Sequence, residues 1–384
     1  MTPLPALLLQ TWHELKFDLG SPEDIDGFPW SAPISIVVLV LLCFLLWKAR
    51  RNYMALPEAP APVKAPGGQD VTVVIPARNE EANIAKCVAA FKDVRVIVVD
   101  DASTDRTATL AAGAGAEVLK APPLPRGTVG KVNAIMAGAK AVTSDYILFV
   151  DADTRFQPGF ATALSNYAYQ ERVSMVTCFP RQRCETFFEK MLMPYAFALY
   201  FSGVNARRIH DVKKPDVLAN GQCLLFLRSA YEFLGGHILV QNSVVEDVAL
   251  AQVVKRHRMA TKVMRAEHAG EVRMYDSLGA IWRGFKKNSF RFLRLNPRTG
   301  VQVVLTSILL TSVLPLSFWL AWQEQWPIFG LLLAAPAALL APWYGGFGRA
   351  WLYLPAAYLF QLIALDGMVT ALLHLKTDWK GRKV

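Results

Sequence analysis

Residues 71–103 read VTVVIPARNEEANIAKCVAAFKDVRVIVVDDAS, and the fold class follows from two short apolar runs within them. Val71–Ile75 and Val94–Val99 are rich in valine, too short for helices and closed by polar turns, which is the signature of buried strands. Between them, Glu80–Phe91 spaces its apolar residues at helical intervals. The alternation continues outward, with Thr104–Ala112 reading as a helix and Tyr146–Val150 as another buried strand. Buried strands separated by helices predict an α/β domain with a mostly parallel sheet and right-handed crossovers. Ligands of such sheets sit beyond the carboxyl ends of the strands, at the switch in strand order.

Polar residues stand at those ends. The first strand runs into Pro76-Ala77-Arg78-Asn79-Glu80, the second into Asp100-Asp101-Ala102-Ser103, and the strand before Asp151 into Asp151-Ala152-Asp153. Asp-rich turns after strands also cap the next helix, so Asp100-Asp101-Ala102-Ser103 alone is compatible with either role. Asp151 and Asp153 carry more information, because two carboxylates one residue apart direct oxygen ligands at a hard cation that also takes diphosphate oxygens. They follow Asp100 by about fifty residues, on the same sheet edge. Glu246-Asp247 opens the amphipathic segment Val248–His257. The helix dipole favours acids there whatever their function; the functional reading makes Asp247 a general base for an attacking hydroxyl.

The chain has 384 residues, 53% of them hydrophobic, and a formal net charge of +10. Apolar residues concentrate in Trp30–Trp47 and Val301–Leu375. The first is an uncharged run between two tryptophans, just long enough to cross a hydrocarbon core. A cleaved signal peptide would begin with a basic end, whereas residues 1–30 hold one Lys and five acids. Lys48, Arg50 and Arg51 follow the run, which predicts an outside N-terminus and a cytoplasmic central domain. Candidate spans at 301–322, 326–344 and 351–375 would leave the basic tail outside, against the same rule, so the proline-interrupted 326–344 is the expected re-entrant or interfacial piece. Asp366 within the last span is costly in lipid and is expected to face protein or a polar cavity.

The positive charge has an address. Ser277–Gly300 holds six Lys or Arg and no acid, interleaved with apolar residues at helical spacing. That describes a basic amphipathic helix on anionic lipid rather than a nucleic-acid surface. Met191–Phe201 is a further apolar run too short to span, either a buried core helix or the wall of an acceptor groove. Five cysteines, at 43, 87, 178, 184 and 223, show neither a CxxC pair nor zinc-ligand spacing.

In order along the chain, the segments VVIPARNEE (73–81), VDDASTD (99–105), GKVNA (130–134), VDADT (150–154), NGQCLLFLR (220–228), GGH (235–237) and VVED (244–247) resemble the family 2 glycosyltransferases of GT-A fold. Met274-Tyr275, Trp282, Lys287-Asn288 and Trp379-Lys380-Gly381-Arg382 narrow the resemblance to the membrane-bound subgroup of carotenoid (diaponeurosporenoate) and hopanoid-associated glycosyltransferases. The resemblance implies that Glu80, with Pro76 and Arg78, sits at the nucleoside, and that Asp101, beside Asp100, contacts base or ribose. It implies Mg or Mn on Asp151 and Asp153, sugar beside Gly221 and Gln222, donor or acceptor at His237, and Asp247 beside Glu246 as the base of an inverting transfer. Lys131 would reach phosphate or sugar, or else is a solvated lysine at a helix start. The expected donor is a nucleotide-sugar, with a UDP-sugar first, and the expected acceptor is a lipid. Processive relatives carry Q/R-x-x-R-W after the base; Arg291-Phe292-Leu293-Arg294 lacks the Trp, so one sugar per acceptor is expected.

The expected organisation is an extracytoplasmic segment 1–29, a spanning helix 30–47, a linker 48–69 with four prolines and two glycines at 55–69, and a catalytic domain 70–274. An interfacial helix 275–299, a membrane region 300–375 of two or three spans, and the tail 376–384 complete it. Two other readings stay open: a dormant nucleotide-binding membrane scaffold and a metal-dependent nucleotidyltransferase.

Overall fold

A computed structural model describes residues 30–63, 67–295, 297–373, 378–379 and 382–383. The segment 1–29, most of the tail and the side chains of Arg291 to Arg294 lie outside the described residues.

The centre is a seven-stranded sheet. Its strands are β1 (Val71–Ala77), β2 (Arg95–Asp100), β3 (Glu117–Lys120), β4 (Tyr146–Val150), β6 (Met175–Phe179), β8 (Cys223–Leu227) and β9 (Thr261–Arg265), ordered β3-β2-β1-β4-β8-β6-β9. Only β8 runs against the others. Three shorter strands, β5 (Thr154–Phe156), β7 (Arg181–Gln182) and β10 (Gly270–Val272), form a second sheet. Successive strand residues point to opposite faces. Val73 and Ile75 therefore pack beneath α2 (Ile84–Ala89) and α5 (Phe160–Gln170), while Val74, Ile97 and Phe149 pack under α4 (Gly130–Lys140). Burying one such side chain contributes about 2 kcal/mol.

The predicted strands hold, Tyr146–Val150 to the residue. The helices are shorter than their periodicity: Glu80–Phe91 contracts to α2, and Thr104–Ala112 becomes α3 (Thr107–Gly113). The reason lies in the turns after β1 and β2, where Asn79 and Ala102 have φ of 52° and 55°. The turns are stitched together, since Asn79 N–H donates to Ser103 Oγ at 3.0 Å and Thr104 N–H to Asn79 Oδ1 at 2.8 Å. Left-handed backbone at Ala102 costs about 1–2 kcal/mol, strain of the kind stored beside functional sites.

Beyond the sheet lies a second core. Helix α1 (Ser31–Met54) packs with α6 (Phe187–Gly203), α9 (Pro297–Trp322), α10 (Trp326–Tyr344) and α11 (Tyr353–Leu372). Among the described residues four helices, at Ser31–Met54, Pro297–Trp322, Trp326–Tyr344 and Phe347–Leu372, are long and apolar enough to cross a membrane. They leave Val37, Val40, Phe44, Ile308, Phe318 and Leu362 exposed, a hydrocarbon surface that water would not favour. Trp30, Trp47, Trp322 and Trp326 are exposed near helix ends, where interfacial aromatics belong.

The first helix runs on through residues 48–54, so the expected linker begins as helix, and its next part is pinned to β9 by Ala59 N–H on the Arg265 carbonyl at 2.7 Å. The segment 326–344 is one continuous helix despite Pro336 and Pro342. The basic helix α8 (Leu278–Leu295) docks on α11 through the residue that was costly in lipid: Trp282 Nε1 and Lys286 Nζ donate to Asp366 at 2.7 and 2.9 Å. Met191–Phe201 lies in α6, whose first turn is fixed by a capping box between Thr186 and Glu189.

Candidate active site

The carboxyl ends of β1 and β4, where strand order switches, open into a polar cavity of about 300 Å³. Its lining includes Pro76, Arg78 and Glu80 after β1, Asp101 after β2, Lys131 on α4, and Asp151 with Asp153 after β4. Gly221 and Gln222 before β8, and Glu246 and Asp247 at the start of α7 (Glu246–Arg256), close the opposite wall. Chain segments far apart in sequence thus deliver their acids to one rim.

Two expected site residues do not line this cavity. Asp100 does not line the cavity; its Oδ1 accepts the Ser103 N–H at 3.2 Å, so it caps its own turn. His237 is 1% exposed, with Nδ1 2.7 Å from the Tyr231 hydroxyl and its ring edge-on to Phe149 at 5.1 Å. Gly235 and Gly236, at φ of 78° and 55°, turn the chain so that His237 points inward behind Glu246. Burial there pushes its imidazole down to about 4, so it is neutral and supports the floor of the site.

One cation organises the acids. Lys131 Nζ lies 2.7 Å from Asp151 Oδ1 and 2.7 Å from Glu246 Oε1. Burial opposes the charge on Lys131, but Asp151 and Glu246 outweigh it and hold the ammonium protonated. Burial likewise favours neutral Glu246, and Lys131 overrides that, keeping Glu246 below the ordinary carboxylate range. Asp247 differs: burial first, then the Glu246 carboxylate, push it up to about 6, although it accepts the N–H groups of Gly221 and Val248 at 2.8 Å each. Two adjacent acids are thereby driven apart, one held ionised and the other poised near neutrality.

These ion pairs make Lys131→Met a stability test. It strands the Glu246 charge, whose side chain is 7% exposed, and should cost about 2 kcal/mol, less than for a fully buried pair because Lys131 is itself 35% exposed. A lower melting temperature of the chain without nucleotide or metal is the expected result; an unchanged one refutes the role.

A divalent cation fits the donor set in part. Asp151 and Asp153 supply hard oxygen donors one residue apart, and a positive charge, Lys131, already sits against Asp151. Among the described residues no group of three or more His, Cys, Asp or Glu could hold a metal. A site of one or two carboxylates is the Mg-type arrangement completed by substrate phosphates and water.

A second cavity of about 300 Å³ adjoins the first and is walled by Phe179, Met193, Phe197, Tyr200, Val304 and Phe360, among others. Asn220, Gln222, Val245, Asp247, Met274 and Tyr275 line both. Sequence reasoning quoted Met274-Tyr275 and Lys287 within a pattern but gave them no role, and it gave none to Asn220. The signal available was the basic spacing of α8, which turns Lys287 into the polar cavity instead of toward headgroups. At Gly221 a Cβ would come 3.2 Å from Lys131 Nζ and 3.6 Å from Asp247 Oδ2. Gly221→Ala should therefore fold normally yet lower turnover about tenfold by shifting these groups, which steady-state kinetics beside a melting curve would check.

An open α/β sheet with a nucleotide-sized, acid-rimmed cavity at its switch point defines a nucleotide-binding enzyme domain. Residues 72–235 match the family model for glycosyl transferase family 2. The 4,4'-diaponeurosporenoate glycosyltransferase of Staphylococcus haemolyticus is 27% identical over 217 residues, covering 54% of this chain and 58% of that protein. The protein of the same name from Staphylococcus aureus (strain USA300) is 26% identical over 266 residues, 66% of this chain and 68% of its own. The match thus spans less than two thirds of the first relative. Among solved structures, the mannosyltransferase PcManGT from Pyrobaculum calidifontis, in complex with GDP-Man and Mn2+, is similar with a TM-score of 0.53 and 19% identity, covering 90% of this chain and 99% of that one. The fold is the mostly parallel GT-A type.

Proposed function

We propose that this protein transfers one sugar from a nucleotide-sugar, with inversion and with a divalent cation, to a lipid acceptor at the cytoplasmic face of the cell membrane. The observation that carries the reading is the position of Asp247, which lines the polar cavity and the apolar one at once. Arg78, Glu80 and Asp101 would hold the nucleoside end of the donor, and Gly221 and Gln222 the sugar. Asp151 and Asp153 would hold Mg or Mn, which neutralises the departing nucleoside diphosphate when bound. Lys131, between Asp151 and Glu246, adds a fixed positive charge where negative charge develops. Asp247 accepts the acceptor proton as oxygen attacks the anomeric carbon, a single displacement that inverts configuration. PcManGT, with GDP-Man and Mn2+ in its structure, and the diaponeurosporenoate enzymes, with a carotenoid acceptor in their name, support both halves of the reading. Lys48, Arg50 and Arg51 in the last turns of α1, read with the positive-inside rule, support the cytoplasmic face.

The test is a screen of nucleotide-sugars with Mg or Mn, followed by labelled donor and a lipid extract. A true donor at a hundredfold over its dissociation constant stabilises by about 2.7 kcal/mol. Release of nucleoside diphosphate with label in the lipid phase supports the proposal. Release of sugar 1-phosphate, with the nucleotidyl group on the acceptor, makes the protein a nucleotidyltransferase, and binding without turnover on any lipid makes it a scaffold.

A further inference from the structure

The apolar cavity leads away from Asp247 into the helices of the membrane region, between α8, α9 and α11. The distribution of charge around the two cavities is uneven. Arg78, Lys131 and Lys287, the cationic side chains among the described residues of the site, all line the polar cavity. In the apolar cavity, Asp247 is the one charged group among the described lining residues. Asn220 and Gln222 lie at the end shared with the polar cavity; away from it the walls are aromatic and aliphatic, with Ser307 and Gln361 as polar groups at α9 and α11, and those two are hydrogen-bonded to each other at 2.9 Å.

This asymmetry selects among acceptors. A phosphate or carboxylate on the acceptor would bring a second negative charge against Asp247 in a space walled by hydrocarbon, where like charges repel far more than in water. Such a group is also ionised already and offers Asp247 no proton to remove. An alcohol has neither difficulty. Its hydroxyl donates to the Asp247 carboxylate, and its hydrocarbon fills a cavity that water occupies poorly.

We infer, resting on the transfer reading above, that the acceptor is an uncharged lipid alcohol, its hydroxyl on Asp247 and its chain in the cavity between α8, α9 and α11. In the step, the O–H bond breaks with the proton passing to Asp247, and the oxygen forms a bond to the anomeric carbon. The bond from that carbon to the diphosphate breaks, and its electron pair leaves on the diphosphate. This acceptor differs in charge from the one named for the staphylococcal relatives, whose diaponeurosporenoate is a carboxylate.

Two probes of equal chain separate the cases: tritiated geranylgeraniol and geranylgeranyl phosphate, each titrated against the full chain in neutral detergent micelles. The alcohol is expected to bind at least about tenfold more tightly than the phosphate. Asp247→Asn keeps the shape and removes the charge, so it should narrow that gap by raising the affinity for the phosphate. Nucleotide-sugar binding by the variant shows that it is folded. The inference is overturned if the phosphate binds as well as the alcohol, or if the gap persists in Asp247→Asn. It is equally overturned if neither probe binds while the nucleotide-sugar does, an outcome that leaves the donor half of the proposed function standing.

Discussion

Asp247→Asn is expected to lower transfer about a thousandfold, within the usual range for loss of a general base, while the dissociation constant of the nucleotide-sugar changes little. The asparagine keeps the shape and the hydrogen bond from the Gly221 N–H, so the wall of the cavity stays in place. What disappears is the group that takes the proton. In the parent protein that group titrates near 6 because burial and the Glu246 carboxylate disfavour its charge. Transfer measured as kcat/KM should therefore fall tenfold per pH unit below about 6 and level off above it. Stability moves the other way. A carboxyl whose folded pKa is raised from 3.8 to about 6 binds more protons when folded, so its contribution is present at low pH and is lost as pH rises through that window. Asp247→Asn escapes that loss, and its melting temperature relative to the parent should be higher at pH 8 than at pH 4. A variant that keeps full transfer, or a parent whose acid limb lies near pH 4, would remove Asp247 from the role of base.

Much of this site was legible in the sequence, because it is written at strand ends. Valine-rich runs fix the strands by their burial, and whatever follows a parallel strand emerges at the edge where ligands bind. Asp101, Asp151 and Asp153 are placed on one rim by that rule, whereas Asp247 opens a helix and its role rests on the resemblance. The failures have local causes. Asp100 and Asp101 are neighbours in sequence, but alternation sends one side chain into its own turn and the other into the cavity. The glycine pair before His237 announced a tight turn but not its direction, and the direction decides between ligand contact and burial. Helix ends were overextended because periodicity ignores the left-handed residues Asn79 and Ala102. The apolar cavity was the least legible element. It is assembled from β6, α6, α8, α9 and α11, and no segment of the chain carries its shape. The α6 run could be read as core helix or groove wall and is both: Tyr195 is fully buried, while Met193, Phe197 and Tyr200 line the cavity.

Glu189→Ala should be clearly destabilising although it lies outside the site. Glu189 is 1% exposed, and its carboxylate receives Arg273 Nε at 2.9 Å and Nη2 at 3.0 Å, a bidentate pair. The same carboxylate accepts the Thr186 N–H at 2.6 Å, closing the capping box of α6. Burial would raise such an acid, yet Arg273 and the Thr186 hydrogen bonds hold it down at about 2. Removing it opens half of the capping box and leaves Arg273, 30% exposed, with Glu185 at 2.8 Å as its carboxylate partner, so the expected cost is about 2 kcal/mol. The effect should also reach the active site. Arg273 directly precedes Met274 and Tyr275, which line both cavities, so the clamp fixes where the two cavities meet. Glu189→Gln, which keeps the cap but not the charge, should lose less stability than Glu189→Ala. Because a lowered carboxylate pKa contributes stability above about 4.5 that is lost as pH falls toward about 2, the gap between parent and Glu189→Gln should close in acid. Thermal unfolding of the three proteins between pH 3 and pH 8 would show it, and a pH-independent gap would mean that the carboxylate charge is not what holds the clamp.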